Sequence, residues 1–428
     1  MLRLRPVARD YSWGSRTAIP DYLGLEPTGR PLAELWFGAH PSAPSGVQRS
    51  AEPVLAAAGP SGGAARQAPR PAATELLAPV DDGESLRHLI ESDPLGALGE
   101  DILARFGTRL PFLLKLIAPA RPLSLQVHPT IERARQGYAL EDAAGVPVDA
   151  PERNYRDTNH KPELVYALTT FDAVSGFRAP RRAAEVLADL DAPLARTVLR
   201  FLRQDPTADG VRAAFTHLLA PATRPDPAAV RAVVSACAAR LHDGSPSPRA
   251  DAVVTLLASF FPDDPGVVAS LLLNPVTLRP GQAMFIPAGG VHAYLGGVGV
   301  ELMANSDNVL RAALTDKHVD ADELFDVVDF IAAPPIRIAP EEFHDSTKVY
   351  YAPVDDFELS VTDVDDDDQL QPLPGRGPRI LLCLEGDVRL ASAEDAVTLS
   401  RGESVFVPAS EGPITVRGRG TVVQADVP

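Results

Sequence analysis

Short apolar runs, broken by proline and glycine, fill roughly the first 177 residues and predict β-strands. In residues 124–128 (Ser-Leu-Gln-Val-His), polar and apolar side chains alternate. Because successive side chains of a strand point to opposite faces, Ser124, Gln126 and His128 should line one face, with apolar neighbours behind them. The pattern therefore predicts a strand whose polar face can carry a site.

The apolar spacing changes to that of helices between about residues 178 and 264. Val230, Val233 and Cys237 recur at helical spacing behind Asp226-Pro227, which is a capping residue followed by proline at the first helical position. Strand patterning is expected to resume at residues 267–273 (VVASLLL). The intervening segment is predicted to be a helical insertion with a packing role.

An eleven-residue pattern occurs twice, at residues 278–288 (LRPGQAMFIPA) and 399–409 (LSRGESVFVPA). The matching pairs are Gly281 and Gly402, Phe285 and Phe406, and Pro287 and Pro408. Two copies of one β-unit indicate two related barrels, in which the glycine and proline would form the same hairpin; chance similarity is the alternative. Since Pro413 occupies the position that matches His292, the second barrel is not expected to hold a metal.

Composition and charge limit the classes of protein to which this chain can belong. A chain of 428 residues is long enough for two or three domains, and a net charge of −17 disfavours nucleic acid and anionic membranes as partners. Cys237 and Cys383 lie outside any CxxC pattern and are expected to be free core residues. Residues 56–79, rich in Ala, Pro and Gly, are predicted to be a surface loop. Without a signal peptide or a long apolar run, a soluble cytoplasmic protein is expected.

Two further segments supply side chains of the metal-ligand type. Glu163 follows Lys161 at a two-residue spacing, and His292 follows a Gly-Gly turn. Together with Gln126 and His128, Glu163 and His292 would provide two nitrogen and two oxygen ligands to one metal ion. Each residue alone has an ordinary role, as a strand amide, a core histidine or a solvated glutamate. The four together favour a metal site.

Lysine is rare in this chain, because arginine supplies most of the 40 basic residues. Lys115 is the sole charge in the apolar residues 111–117 (PFLLKLI). Since an unpaired buried charge is costly, Lys115 should face a cavity or a carboxylate. The alternative is a lysine on an edge strand whose ammonium reaches solvent.

At this point the motifs carry a family resemblance. Residues 155–163 (YRDTNHKPE), the preceding SLQVHP and the later GVELMANSDNVLRAALTDKH resemble type I mannose-6-phosphate isomerases, and the likeness extends from Tyr11-Ser12-Trp13-Gly14 to the C-terminus. It implies a zinc-dependent aldose-ketose isomerase that interconverts D-mannose 6-phosphate and D-fructose 6-phosphate through a cis-enediol, in mannose and GDP-mannose precursor metabolism. A monomer is expected separately from this resemblance. One zinc ion per chain would be held by Gln126, His128, Glu163 and His292.

The same resemblance implies a fold class and a domain order. The fold would be mostly β with a helical insertion, built from two cupin-type (jelly-roll) β-barrels plus an α-helical domain. Residues 1–177 and 265–335 would form the catalytic cupin, interrupted by the helical insertion at 178–264. Residues 336–428 would form a C-terminal, non-catalytic cupin.

Further roles follow from the resemblance. Arg311 would lie over the substrate and assist proton transfer, with Lys161, His160, Asp307 and Glu301 as acid-base or ring-opening candidates. Asp307 could instead cap a following helix, and His160 could simply donate a supporting hydrogen bond. Asp307, Arg311 and Lys317 are expected in a loop or short helix. The predicted phosphate contacts are Ser124, Lys115, Lys161 and Lys317.

Two other classes compete with an isomerase. A cupin dioxygenase would use iron and usually an HxH pair, whereas Gln126 replaces the first histidine here. A sugar-binding sensor would keep the barrel without the chemistry. The complete ligand set, together with Lys161 and Arg311, argues against both.

Overall fold

The computed structural model describes residues 1–48, 73, 85–344 and 346–428. Apart from Ala73, the surface loop predicted at residues 56–79 lies outside the described residues. None of the helices in the described part of the chain has the length and apolar character needed to cross a membrane.

The described residues form 22 strands and 11 α-helices, and six of these helices follow one another between β8 and β9. The strands are β1 (Leu2–Arg5), β2 (Val7–Arg9), β3 (Glu34–Phe37), β4 (Gly46–Gln48), β5 (Phe112–Ile117), β6 (Leu125–Val127), β7 (Glu163–Ala167), β8 (Phe171–Phe177), β9 (Leu273–Leu278), β10 (Ala283–Ile286), β11 (His292–Gly296), β12 (Gly299–Ala304), β13 (Leu310–Ala313), β14 (Ile336–Ile338), β15 (Glu341–Phe343), β16 (Thr347–Tyr350), β17 (Glu358–Val364), β18 (Gln371–Pro372), β19 (Arg379–Ala391), β20 (Ala396–Ser400), β21 (Ser404–Val407) and β22 (Thr415–Asp426). The helices are α1 (Ala18–Leu23), α2 (Leu86–Ser92), α3 (Pro94–Phe106), α4 (Ile131–Ala143), α5 (Pro180–Ala188), α6 (Pro193–Gln204), α7 (Ala208–Leu219), α8 (Pro227–Asp243), α9 (Pro248–Phe260), α10 (Gly266–Ala269) and α11 (Ala321–Val327).

These strands pair antiparallel in three sheets. The ten-stranded sheet follows the order β15-β16-β17-β22-β19-β21-β1-β4, with β18 beside β22 and β20 beside β19. The seven-stranded sheet is β14-β10-β7-β12-β5-β3-β2, and the five-stranded sheet is β13-β6-β11-β8-β9. The two smaller sheets each combine strands from before and after helices α5 to α9, so strand pairing brings distant segments of the sequence together.

The predicted helical insertion contains helices with the expected caps. The Asp226 carboxylate accepts a hydrogen bond from the backbone N–H of Ala229, and proline occupies the first turn of α8. Val230, Val233 and Cys237 of this helix are fully buried. Both cysteines are free and buried, as predicted.

The prediction of a strand at residues 267–273 is wrong for most of that segment. Helix α10 is followed by a 3-10 turn at Ser270–Leu272, and strand β9 begins only at Leu273. This apolar run is buried on every side within the helical core. A continuously apolar run has no periodicity that separates a buried helix from a buried strand.

The repeated pattern has the same local structure in both copies. Gly281 and Gly402 both have φ of 85°, and β10 and β21 each begin two residues later. The expected hairpins are absent, because β9 pairs with β8 while β10 pairs with β7 and β14. In the second copy, β20 and β21 pair with different parts of β19. The pattern identified the turn but not the partners of the strands, which are distant in sequence.

The helical segment supports the strand that carries the predicted polar face. Leu125 and Val127 of β6 are buried in one apolar cluster with Val198 and Phe215 of the helices. Gln126, between them, points to the opposite face and is half-buried. The helices therefore pack against the apolar face of β6, opposite the face that carries Gln126.

A buried pair of carboxyl groups lies in the ten-stranded sheet, where Glu358 of β17 is directly opposite Asp426 of β22. Burial, with the neighbouring Glu358, raises the pKa of Asp426 well above its ordinary value and outweighs the nearby Arg379. The folded protein therefore holds a proton that the unfolded chain releases.

This proton makes stability depend on pH. When the pH rises above the ordinary aspartate pKa, the unfolded chain loses this proton while the folded protein keeps it. The free energy of unfolding should therefore fall by up to about 1.4 kcal/mol per pH unit, until the pH passes the raised pKa of the folded state. Asp426→Asn should remove this decline, measured as urea unfolding at a series of pH values from about 4 upward, whereas Asp365→Asn, at an exposed position, should not. An unchanged pH slope in Asp426→Asn would contradict the assignment.

Candidate metal centre

A cavity of about 580 Å³ lies between the seven-stranded and five-stranded sheets. Nine of the residues selected from the sequence line it: Lys115, Ser124, Gln126, Lys161, Glu163, Glu301, Asp307, Arg311 and Lys317. Phe261, which follows α9, also lines the cavity, so the helical segment forms part of the wall.

Strand register explains why the residues from distant segments meet. Gln126 of β6 is directly opposite His292 of β11 and Arg311 of β13. Residues directly opposite in antiparallel strands share a face, so these three side chains point the same way. In the other sheet, Glu163 of β7 is opposite Met303 of β12.

Three buried side chains form a compact group of potential metal ligands. Ligand atoms of His128, Glu163 and His292 all lie within 4.8 Å of one another. The Nε2 atom of His128 is 3.2 Å from Glu163 Oε1, and that of His292 is 3.3 Å from Glu163 Oε2. The side-chain amide of Gln126 lies 3.3 Å from His292 Nε2, which places all four predicted ligands together.

Hydrogen bonds orient both imidazoles toward the centre of this group. His128 Nδ1 is 2.8 Å from the Asn308 carbonyl, and His292 Nδ1 is 3.0 Å from the Gly290 carbonyl. Because a carbonyl only accepts, both Nδ1 atoms carry hydrogen, and in the neutral form of each ring an Nε2 lone pair faces Glu163.

The electrostatics of the group fit a cation. Burial, assisted by Lys161, lowers the pKa of His128 to about 4, so its ring is neutral near pH 7. Burial alone would raise the pKa of Glu163, but this pKa is held well below its ordinary value; with the His128 ring neutral, the adjacent positive charge is that of Lys161, whose Nζ lies 3.2 Å from Oε1. His128 Nε2 is buried with no hydrogen-bond donor among the described residues. Two lone pairs facing a carboxylate are unfavourable without a positive ion between them, so these residues fit a bound divalent metal.

Lys115 lies in an interior strand and is paired. Strand β5 lies between β12 and β3, which excludes the edge-strand alternative. Lys115 is 4% exposed, and its Nζ donates to Glu301 Oε2 at 2.9 Å and lies 3.9 Å from Glu34 Oε1. Its burial would lower the pKa, but Glu301 and Glu34 raise it. Lys115 therefore remains positively charged in the cavity wall.

Glu301 combines burial with several charged neighbours. Its burial raises the pKa, Lys115 opposes this, and the carboxylates of Glu163 and Glu34 raise it further. The Tyr294 hydroxyl donates to Glu163 at 3.4 Å. Glu301 is therefore easier to protonate than an ordinary glutamate, which suits an acid-base group.

Cations without carboxylate partners occupy another part of the cavity wall. Within the described residues, Arg311 and Lys317 have no salt bridge. Burial together with Arg156 lowers the pKa of Arg311, and burial together with Arg311 and Arg156 lowers that of Lys317. This mutual repulsion favours an anion between them. Arg311 lies in strand β13 rather than in the expected loop or short helix, because it pairs with β6.

The positions of Asp307 and His160 bear on two alternatives. Strand β13, not a helix, follows Asp307, so Asp307 does not cap a helix. Its side chain is 40% exposed and lies 3.6 Å from His40 Nε2. His160 is not among the residues that line the cavity, and its Nε2 is 2.9 Å from Asp356 Oδ2. This contact corresponds to the supporting hydrogen bond considered as the alternative.

Several residues in or beside the cavity were missed in the sequence. Glu34 and Trp36 share a face of β3, and Trp36 Nε1 donates to Glu34 Oε2 at 2.7 Å. Tyr294 follows His292 by two residues on β11, and His40 lies just after β3. The two-residue spacing was available as a signal for Glu34 and Trp36, whereas nothing local marks His40.

The fold and the geometry of the site define a class before any comparison. Antiparallel sheets enclose a buried His-Glu-His group beside a glutamine, a paired lysine and unpaired cations. This is the arrangement of a β-sheet metal-binding protein with a cavity that suits an anionic ligand.

Comparison with known proteins identifies the family within that class. Residues 1–58 and 72–180 match the type I phosphomannose isomerase catalytic domain, and residues 346–427 match the mannose-6-phosphate isomerase cupin domain. The chain is 38% identical to the mannose-6-phosphate isomerase of Escherichia coli (strain K12), over 99% of each chain. It is 30% identical to mannose-6-phosphate isomerase 1 of Arabidopsis thaliana, covering 95% of this chain and 89% of that protein.

Solved structures agree with the sequence comparisons. A crystal structure of a zinc-bound mannose 6-phosphate isomerase matches with a TM-score of 0.83 at 35% identity, covering 100% of this chain and 99% of that one. The chain therefore belongs to the type I mannose-6-phosphate isomerase family, as its motifs predicted, and is an enzyme.

Proposed function

We propose that this enzyme is a zinc-dependent isomerase that interconverts D-mannose 6-phosphate and D-fructose 6-phosphate. The observation that carries this proposal is the buried His128, Glu163 and His292 group, whose Glu163 lines a cavity that also presents Arg311 and Lys317 without carboxylate partners. Zinc bound to a family member of 35% identity supports the choice of metal. We further propose a cytoplasmic monomer, and a role in mannose and GDP-mannose precursor metabolism as the family resemblance implies.

The metal would be held by the Nε2 atoms of His128 and His292, the Glu163 carboxylate and the Gln126 amide oxygen. In the structure, the amide nitrogen of Gln126 faces His292, and the amide oxygen lies 3.4 Å from Ser124 Oγ. Rotation about the last side-chain bond exchanges the two atoms and would turn the oxygen toward the metal. When bound, zinc supplies positive charge near the two sugar oxygens on which negative charge develops.

Isomerisation moves a proton between C1 and C2 through a cis-enediol. Glu301 is the proposed carrier of this proton, because its pKa is raised and it lies in the cavity wall. Lys115 would orient Glu301, while Lys161, whose Nζ lies 3.2 Å from Glu163 Oε1, would donate to a substrate oxygen. Arg311 would stabilise the developing oxyanions.

Ring opening and phosphate binding need separate groups. We assign the base for the anomeric hydroxyl to Asp307 and give His160, which lies outside the cavity lining, a supporting role. Ser124 and Lys317 are the proposed phosphate contacts. Lys115 is a weaker candidate for phosphate than the sequence suggested, because two carboxylates already balance its charge.

A coupled assay with mannose 6-phosphate tests the proposal. Activity should disappear after rigorous chelation and return when zinc is added. Full turnover with no bound metal would exclude the metal-dependent mechanism. Iron-dependent consumption of oxygen would favour the dioxygenase, and sugar phosphate binding without turnover would favour the sensor.

We also propose the domain order that the resemblance implies, with a catalytic cupin at residues 1–177 and 265–335, a helical insertion at 178–264 and a second cupin at 336–428. The second cupin should bind no zinc, since Pro413 occupies the position that matches His292. Metal analysis should find one zinc ion per chain. A second tightly bound ion that maps to residues 336–428 would refute this.

A further inference from the structure

His40 is held in one tautomer beside the cavity, next to the lining residues Trp36, Ser42 and Asp307. The backbone N–H of Ser42 donates to His40 Nδ1 at 3.2 Å, and Ser42 Oγ lies 2.9 Å from the same atom. A nitrogen that accepts from a backbone N–H carries no hydrogen, so the neutral ring has its hydrogen on Nε2. The edge-on packing of Trp36, 4.9 Å between ring centroids, fixes the plane of the ring.

The Nε2–H of His40 faces the Asp307 carboxylate. The distance from Nε2 to Asp307 Oδ1 is 3.6 Å, and His40 is 2% exposed. Burial lowers the pKa of His40 to about 4, despite Asp307, so the ring remains a neutral donor at neutral pH. The backbone of Asp307 is fixed separately, because its N–H donates to Asp157 Oδ2 at 2.7 Å.

Asp307 differs from three other carboxylates that line the cavity. Glu163 lies 3.2 Å from Lys161, and Glu301 and Glu34 lie within 3.9 Å of Lys115. These three side chains are buried beside permanent cations. Asp307 is partly exposed to the cavity, and the group that it faces is a neutral imidazole rather than an ammonium.

We propose that His40 is a positioning residue for ring opening: its fixed Nε2–H, 3.6 Å from Asp307 Oδ1 in the free enzyme, closes to a hydrogen bond in the substrate complex and holds the Asp307 carboxylate toward the substrate. This inference rests on the proposed isomerase function. Asp307 takes the proton of the C1 hydroxyl, the C1–O5 bond breaks as the C1 carbonyl forms, and a water molecule protonates O5. The resulting hydroxide is neutralised by the proton held on Asp307. His40 remains neutral and transfers no proton.

The isotope effect of substrate deuterated at C2 separates ring opening from isomerisation, because only isomerisation breaks the C2–H bond. His40→Leu should lower kcat by roughly ten- to hundredfold, with the isotope effect falling toward one and zinc content unchanged. His40→Gln, which can place an N–H donor near the position of Nε2, should recover most of the rate. An isotope effect that stays unchanged in His40→Leu, or a His40→Gln variant as slow as His40→Leu, would overturn the inference.

A double-mutant cycle provides the second measurement. In the Asp307→Asn background, His40→Leu should cost less than a further twofold in kcat, and a fully additive loss would overturn the inference. If His40→Leu fails to fold, His40→Asn can replace it, since its shorter amide cannot reach Asp307. A wild-type enzyme without isomerase activity would reject the proposed function itself, whereas an active wild type with additive losses would reject only the role of His40.

Discussion

Glu163→Ala is expected to lose its zinc and to lower kcat/KM on the order of a thousandfold or more. Glu163 is the only anionic member of the proposed ligand set, and its two oxygens lie 3.2 and 3.3 Å from the Nε2 atoms of His128 and His292. Without the carboxylate, a divalent ion would be held by neutral groups alone, next to the unpaired ammonium of Lys161. Metal analysis of the purified variant, together with the coupled assay, measures both effects.

Glu163→Gln is the matched control for this loss. It keeps the size of the side chain and one oxygen ligand but removes the negative charge. Zinc should therefore bind weakly, and excess zinc should restore part of the activity that Glu163→Ala cannot recover. Unchanged zinc content in Glu163→Ala would show that the ligand set is misassigned.

Arg311→Ala is expected to lower kcat by about a hundredfold, on the order of 3 kcal/mol, with zinc content intact and KM little changed. Arg311 lies directly opposite Gln126, on the face that carries the metal group, and has no carboxylate partner among the described residues. Its guanidinium remains protonated at any working pH, so it can stabilise charge that develops in the transition state. Steady-state kinetics at saturating and limiting substrate separate the two constants.

Lys317→Ala provides the comparison for Arg311. As a proposed phosphate contact, Lys317 should bind the ground state and the transition state alike, so its loss should raise KM while kcat changes little. If Arg311→Ala instead keeps kcat and only raises KM, Arg311 is a phosphate clamp. The catalytic role would then pass to Lys161 or Asp307.

Much of the site could be predicted because its signals are local. The alternation in residues 124–128 identified the polar face of β6, and the structure places Gln126 on it between the apolar Leu125 and Val127. The same local reasoning identified the capped helix α8. Where a segment is apolar throughout, as in residues 267–273, the local pattern does not distinguish helix from strand, and the prediction was wrong.

By itself, the sequence determined which segments alternate, where helices are capped, which residues have the chemistry of metal ligands, and the family. These properties depend on neighbours within a few residues. Only the tertiary structure decided that Glu34 and Glu301 neutralise Lys115. It also decided that His40 faces Asp307 and that His160 contacts Asp356 instead of lining the cavity. Lys115 and Glu301 are 186 residues apart, and strand register alone makes them adjacent. Contacts of this kind depend on which strands pair and how the sheets face each other. Strand pairing is stabilised by interactions across the whole sheet, so the residues near each partner in the sequence do not reveal it.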